Sequence, residues 1–285
     1  MSNRKTILAW RRVAAGLTLL PVVACISSSS SNPDGGGASS GSASSSGSAG
    51  SGSTATDSGT GSCPAPPTGA VLVDDMETGM GSILVAGGRT GAWYTYNDLT
   101  PTGTQTPIPM TPFKPAALNP ARCTSHFAAE TAGMGFTTWG AGVGFNFNDP
   151  GNGEGGSAKS TYDASAFTGI GFYAKAANAV VSSAVTVSVT DDQTDPAGGM
   201  CNPTGTSKAT NQCNDAFAIS FGTSPLPALT ADWQWVQFKW TDLKQQGFGQ
   251  AFPNGLDVKK IYALHFQVPT ASTFDFFIDD VYLLP

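Results

Sequence analysis

Ten short runs rich in β-branched and aromatic residues, at 71–76, 92–97, 122–130, 142–148, 169–174, 184–190, 216–221, 233–240, 260–268 and 273–284, are divided by Gly, Pro, Asn and Asp. None carries the 3.6-residue apolar period of an amphipathic helix. That many short strands in some 220 residues predict an all-β domain, an antiparallel β-sandwich of the jelly-roll type.

Successive side chains of a strand point to opposite faces, so alternation separates core from surface. In 233–240 it groups Val236, Phe238 and Trp240 as core, with Trp233, Trp235, Gln237 and Lys239 opposite. In 260–268 it groups Tyr262, Leu264, Phe266 and Val268 against Ala263, His265 and Gln267. A sheet whose outer face is aromatic and polar has the composition of a ligand-binding surface.

The domain occupies 63–285, because what precedes it is not core-forming material. Residues 1–24 join a basic start (Arg4, Lys5, Arg11, Arg12) to an apolar run at 13–24 that is too short to span a bilayer. They read as a signal peptide. Small residues then lead directly into Cys25, as in a bacterial lipobox, where that cysteine becomes the lipidated first residue of the mature chain. The expected address is outside the cytoplasm, on a bacterial outer membrane or cell surface, with secretion as the alternative. The lipid would be the only contact with the membrane. Residues 25–62 are nearly all Ser, Gly, Ala and Thr, cannot bury apolar surface and are expected to form a disordered tether. At ~5–6 Å × √n, such a tether reaches roughly 30–35 Å.

Past the leader, ten Lys and Arg face all 20 Asp and Glu. A net charge near −10 argues against nucleic acid or anionic lipid as a partner and leaves neutral ligands open. Four cysteines remain after Cys25, an even number suited to an oxidising compartment. Of three possible pairings, Cys201 with Cys213 closes a short Gly/Asn/Thr-rich loop, leaving Cys63 with Cys123. No Cys/His spacing suggests zinc.

Two acidic clusters bracket the domain: Asp74, Asp75 and Glu77 in the first strand, Asp279 and Asp280 in the last. Ionised carboxylates in apolar strands need a cation or a donor network, and a shared structural Ca²⁺ would answer that need. Alternation turns Asp280 away from Asp279.

VLVDDMETG, TGIGFYAKA, DWQWVQFKWTDL with QQGFG behind it, IYALHFQV and FDFFIDDVYLL stand in the order found in carbohydrate-binding modules of the galactose-binding-like β-jelly-roll superfamily. The chain resembles the family 11 type, which binds β-glucans, over residues 71–284. The resemblance implies a structural Ca²⁺ held by Asp75, Glu77 and Asp279. It also implies an aromatic-lined sheet with Tyr96 as a platform, His265 as a ligand contact and further contacts from the loop carrying Gln246 and Phe248. The segment 190–214, with its two cysteines, departs from the family pattern.

A pyranose lays its C–H face on an aromatic ring while its hydroxyls keep hydrogen-bonding neighbours. Trp93, Trp139 and Trp235 are further candidate platforms, and Gln267 with His265 can supply directional bonds. Catalysis is poorly provisioned. The chain has two histidines and three glutamates, of which Glu77 is assigned to Ca²⁺ and Glu154 lies in GNGEGG, whereas a glycosidase needs two positioned carboxylates. No Gly-x-Ser-x-Gly elbow, P-loop or His-Glu-x-x-His appears. The expectation is a monomeric, non-catalytic binder of a neutral polysaccharide at the cell surface. Two alternatives stand beside it. One is a glycoside hydrolase or lyase using His265, Tyr262, Lys239 or Glu130; the other is a structural or protein-binding surface module.

Overall fold

The computed structural model describes residues 64–150, 159–177, 185–270 and 272–285. These form two antiparallel sheets packed as a β-sandwich. The strands are β1 (Val71–Asp74), β2 (Trp93–Asn97), β3 (Thr104–Thr106), β4 (Ala116–Arg122), β5 (Ser125–Met134), β6 (Ala141–Asn146), β7 (Gly169–Ala176), β8 (Thr186–Asp191), β9 (Phe217–Ser220), β10 (Gln234–Lys239), β11 (Ile261–Val268) and β12 (Phe274–Leu284). One sheet runs β10-β7-β12-β5-β3, with β1 paired to β12 and β4 to β5; the other runs β2-β6-β11-β8-β9. Among the described residues no helix is long and apolar enough to cross a membrane.

The core lies between the sheets, and alternation builds it. Val143 and Phe145, Val187 and Val189, and Leu264 and Phe266 point inward from the five-stranded sheet to meet Ile170, Phe172, Val236, Phe238, Phe276 and Ile278. Phe172 and Phe266 join the layers edge to face, 5.1 Å between centroids. Each such ring removed from water stabilises the sandwich by roughly 1.5–3 kcal/mol.

Two details differ from the alternation reading. Tyr262 is buried but stands outside the central core cluster: the register of β11 against β8 slips between Ile261 and Ala263, and Ile261 takes the inward place. Asp280 does not face away from Asp279. β12 bulges between Asp279 and Tyr282 against β7, and Asp280 sits at φ 45°. This left-handed backbone, uncommon outside glycine, turns both carboxylates toward one arginine.

Cys201 and Cys213 are bonded. Cys123 is also disulfide-bonded; Cys63, its expected partner, and Cys25 lie outside the described residues.

Candidate functional site

On the outer face of the five-stranded sheet, strand register lays residues in cross-strand rows. One row reads Tyr94, Gly144, His265, Ser188, Ala218; the next reads Tyr96, Gly142, Gln267, Thr186, Ser220. The two glycines of β6 matter because a strand side chain at either position would collide with its neighbours. A Cβ on Gly142 would come within 2.5 Å of the Tyr96 hydroxyl, and one on Gly144 within 2.6 Å of the His265 ring. Without them, Tyr96 and His265 lean across β6 until their centroids are 5.0 Å apart.

These two rings floor a cleft of about 520 Å³. On one side stands Trp139, 43% exposed and stacked on Tyr96 at 6.1 Å and 28°. On the other stands Phe248, also 43% exposed, with Gln212 and Asn214 beside it. Ser188, Thr190 and Gln267 complete a lining that holds hydroxyls, amides and one imidazole but no carboxylate or ammonium.

Each aromatic wall is held by a buried or partly buried aspartate acting on backbone. Asp98 Oδ2 accepts from the amides of Thr138, Trp139 and Gly140 at 2.8, 2.9 and 3.0 Å; against some desolvation, hydrogen bonds from Thr100, Gly140 and Thr138 keep its carboxyl well below the usual range. Gln267 Nε2 also donates to the Trp139 carbonyl at 3.1 Å. Opposite, Asp215 Oδ1 accepts from Gln246 N at 2.9 Å, and its Oδ2 accepts from Gly247 N and Gly249 N at 3.0 Å each. These bonds fix the loop that raises Phe248.

His265 is bonded through Nε2 to the Tyr94 hydroxyl at 2.5 Å, leaving Nδ1 as the ring nitrogen available to a ligand. Desolvation pushes the imidazole pKa down to about 4, with Asp195 opposing and Lys159 assisting. His265 is therefore neutral at physiological pH. The Tyr96 hydroxyl is buried without a hydrogen-bond partner among the described residues.

Of the residues expected from sequence, the structure brings Tyr96, Trp139, Phe248, His265 and Gln267 to this cleft. It takes three elsewhere. Trp93 is 1% exposed and donates Nε1 to Asp74 Oδ2 at 2.8 Å, so it is a core residue and not a platform. Trp235 lies on β10 in the other sheet, against Tyr173 and Tyr282, because the face opposite its core residues looks away from the cleft. Gln246 contributes its backbone amide to Asp215 while its side chain is exposed outside the lining. Lys239 and Glu130 also stand on the other sheet, apart from His265.

Ser188 and Thr190 were legible in the alternation of β8 with Val187 and Val189. Tyr94 shares the outward period of β2 with Tyr96, whereas Asp98, Gln212, Asn214 and Asp215 carried no comparable signal. Three of these four sit in or beside the excursion between β8 and β9, whose path local pattern does not set.

The residues implied for Ca²⁺ already accept hydrogen bonds from protein donors. Glu77 Oε1 accepts from Ser125 Oγ, His126 N and Phe127 N, and Asp279 Oδ2 accepts from Ser125 Oγ and Arg122 Nε. Asp75 Oδ1 accepts from Glu77 N. Among the described residues no three acidic, His or Cys side chains gather as a metal-binding group.

No family model matches the chain, and no curated protein matches it either. Solved structures similar to the chain at low identity include carbohydrate-binding modules. A family 11 module of a cellulosomal cellulase of Clostridium thermocellum has TM-score 0.42 and 14% identity over 76% of this chain and 94% of that one. A family 11 module of the same organism, in complex with a β-1,3-1,4-mixed-linked tetrasaccharide, has TM-score 0.42 and 13% identity over 75% and 95%. A family 30 module has TM-score 0.41 and 12% identity over 67% and 92%. Any reading of ligand rests on the cleft itself.

Proposed function

We propose that this protein binds a neutral polysaccharide chain, without transforming it, in the cleft between Trp139 and Phe248. The observation that carries this is the convergence of Tyr96, Trp139 and Phe248 with uncharged hydrogen-bonding side chains in one cleft of about 520 Å³. Aromatic faces take up the C–H face of a sugar ring, and the amides, hydroxyls and neutral His265 meet its hydroxyls. An uncharged lining gives uronates and sulfated sugars no counter-charge, and the acidic chain repels them. Opposed walls suit a single chain lying between them better than a flat crystalline surface.

The test is isothermal titration and affinity electrophoresis against mixed-linked β-glucan, xylan, mannan and galactan. Binding to at least one is expected, and Trp139→Ala should weaken it by about tenfold or more, the equivalent of roughly 1.4 kcal/mol. Absence of binding to every glycan would remove the proposal. In the cell, the tether and a lipid on Cys25 would hold a monomeric binding domain off the membrane; metabolic labelling with a fatty acid, lost in Cys25→Ala, checks this part.

A second reading draws on the Tyr94–His265 bond at 2.5 Å, a paired phenol and imidazole that could move a proton in a lyase. Because β-elimination needs the acidic C5–H of a uronate, release of unsaturated products from polygalacturonate or alginate, abolished in His265→Ala, would favour it.

A further inference from the structure

The acidic end of the sandwich already contains a cation. We infer that the guanidinium of Arg122 is the built-in counter-ion of Asp279 and Asp280, in the role expected of Ca²⁺, and that the domain folds without a divalent metal.

The hairpin between β4 and β5 turns on two residues, with Arg122 paired to Ser125 and Cys123 at φ 58°. So tight a turn delivers both flanking side chains to one place. Arg122 Nε donates to Asp279 Oδ2 at 2.9 Å, and Ser125 Oγ donates to the same oxygen at 2.7 Å. The bulge of β12 brings the second carboxylate to the same guanidinium, with Arg122 Nη2 to Asp280 Oδ2 at 2.5 Å. Asp279 Oδ1 is taken by the amide of Asp280 at 2.8 Å. Both oxygens of the fully buried Asp279 are thus committed to protein donors.

Aromatic faces complete the setting of the cation. The guanidinium carbon lies 3.9 Å from the centroid of Tyr173 and 5.6 Å from that of Trp233. A planar, permanently charged group with five donors meets two carboxylates and a ring face at once, which a spherical ion cannot do. Ca²⁺ instead requires six to eight oxygens at about 2.3–2.6 Å, and both oxygens of Asp279 and one of Asp280 are already bonded to protein donors. Because arginine keeps its proton, the cation itself depends on no metal supply.

Thermal melts of the purified full-length protein test this. In millimolar CaCl₂ and in excess EDTA the wild-type melting temperatures should coincide, and elemental analysis should find calcium well below one ion per chain. Arg122→Met leaves buried carboxylates unpaired and should lower the melting temperature by roughly 6–20 °C. Adding Asp279→Asn and Asp280→Asn to that variant should recover part of the loss, which a mere packing role for the arginine stem would not allow. A wild-type melting temperature that falls in EDTA and returns with Ca²⁺, stoichiometric calcium, or an Arg122→Met protein as stable as wild type would each overturn the inference. If Arg122→Met does not fold, the two wild-type measurements still decide it. None of these readouts depends on whether a glycan binds.

Discussion

Asp74 is an acid in the core. It is fully buried, it accepts from Trp93 Nε1, and burial pushes its pKa up to about 7 against that bond's opposing pull. Asp279 is raised to about 6, again by burial, with Arg122 lowering it. A carboxyl whose folded pKa exceeds its unfolded value of about 3.9 binds more protons when folded, so stability falls as pH rises between those two values. His265 acts in the opposite sense: lowered from about 6.5 to about 4, it loses stability as pH falls through that window. The contributions partly cancel near pH 5–6, leaving Asp74 to dominate from 6 to 8. Wild-type protein is therefore expected to melt higher at pH 6 than at pH 8. Asp74→Asn, which keeps an acceptor for Trp93 but cannot ionise, should flatten that slope; an unchanged slope would refute the assignment. The same reasoning makes His265 neutral throughout pH 5–8, so glycan affinity measured across that range is expected to be flat, and a sigmoid centred near 6.5 would show a solvated, titrating imidazole instead.

At the level of elements, β6 decides whether the cleft exists. Its inward residues are large and its outward ones at 142 and 144 are glycines, which lets Tyr96 and His265 close over the strand. Gly142→Ala places a Cβ 2.4 Å from the Phe266 carbonyl and 2.5 Å from the Tyr96 hydroxyl, so the phenol must swing out and the strand must shift. Glycan affinity is expected to drop at least about tenfold, with a melting temperature lowered by roughly 2–12 °C for a strained substitution of about 1–3 kcal/mol. Binding as tight as wild type would show that Tyr96 is not part of the ligand surface. The strands themselves were largely legible, since a period of two survives in β8, β10 and most of β11, and it placed His265 and Gln267 on the open face. It failed where the backbone departs from that period, at the slip beside Tyr262 and the bulge at Asp280. It also could not say which sheet an outward tryptophan belongs to, because alternation is a property of one strand. Trp235 and Tyr96 both face outward, but from opposite sides of the sandwich.

Across the whole molecule, the cleft is a joint product of the sandwich and an excursion that is not part of it. One wall rises from the β2 and β6 side, through Asp98 and Trp139. The other comes from the segment between β8 and β9, where the Cys201–Cys213 bond precedes Asn214 and Asp215, and Asp215 in turn holds the Phe248 loop. Within the excursion Asn202 bridges to Gln212 and the 3-10 turns bury no residues; besides the disulfide and these hydrogen bonds, the ion pairs Lys159–Asp195 and Lys260–Asp192 tie its first part to the sandwich. Segments of that kind open at lower free energy than core strands. Closing a loop with a sequence separation of 12 is worth about 3 kcal/mol by the chain-entropy estimate, or roughly 6–12 °C of melting temperature. Cys201→Ser/Cys213→Ser is therefore expected to yield a folded β-sandwich, by circular dichroism, that melts lower by that amount. Its glycan affinity should fall about tenfold or more because Gln212, Asn214 and Phe248 lose their fixed positions together. Asp215→Asn, which weakens only the last link, should lower affinity with a smaller change in melting temperature. If the double serine variant bound glycan like wild type, the excursion would be a covering of the sheet and the ligand would rest on Tyr96, Trp139 and His265 alone.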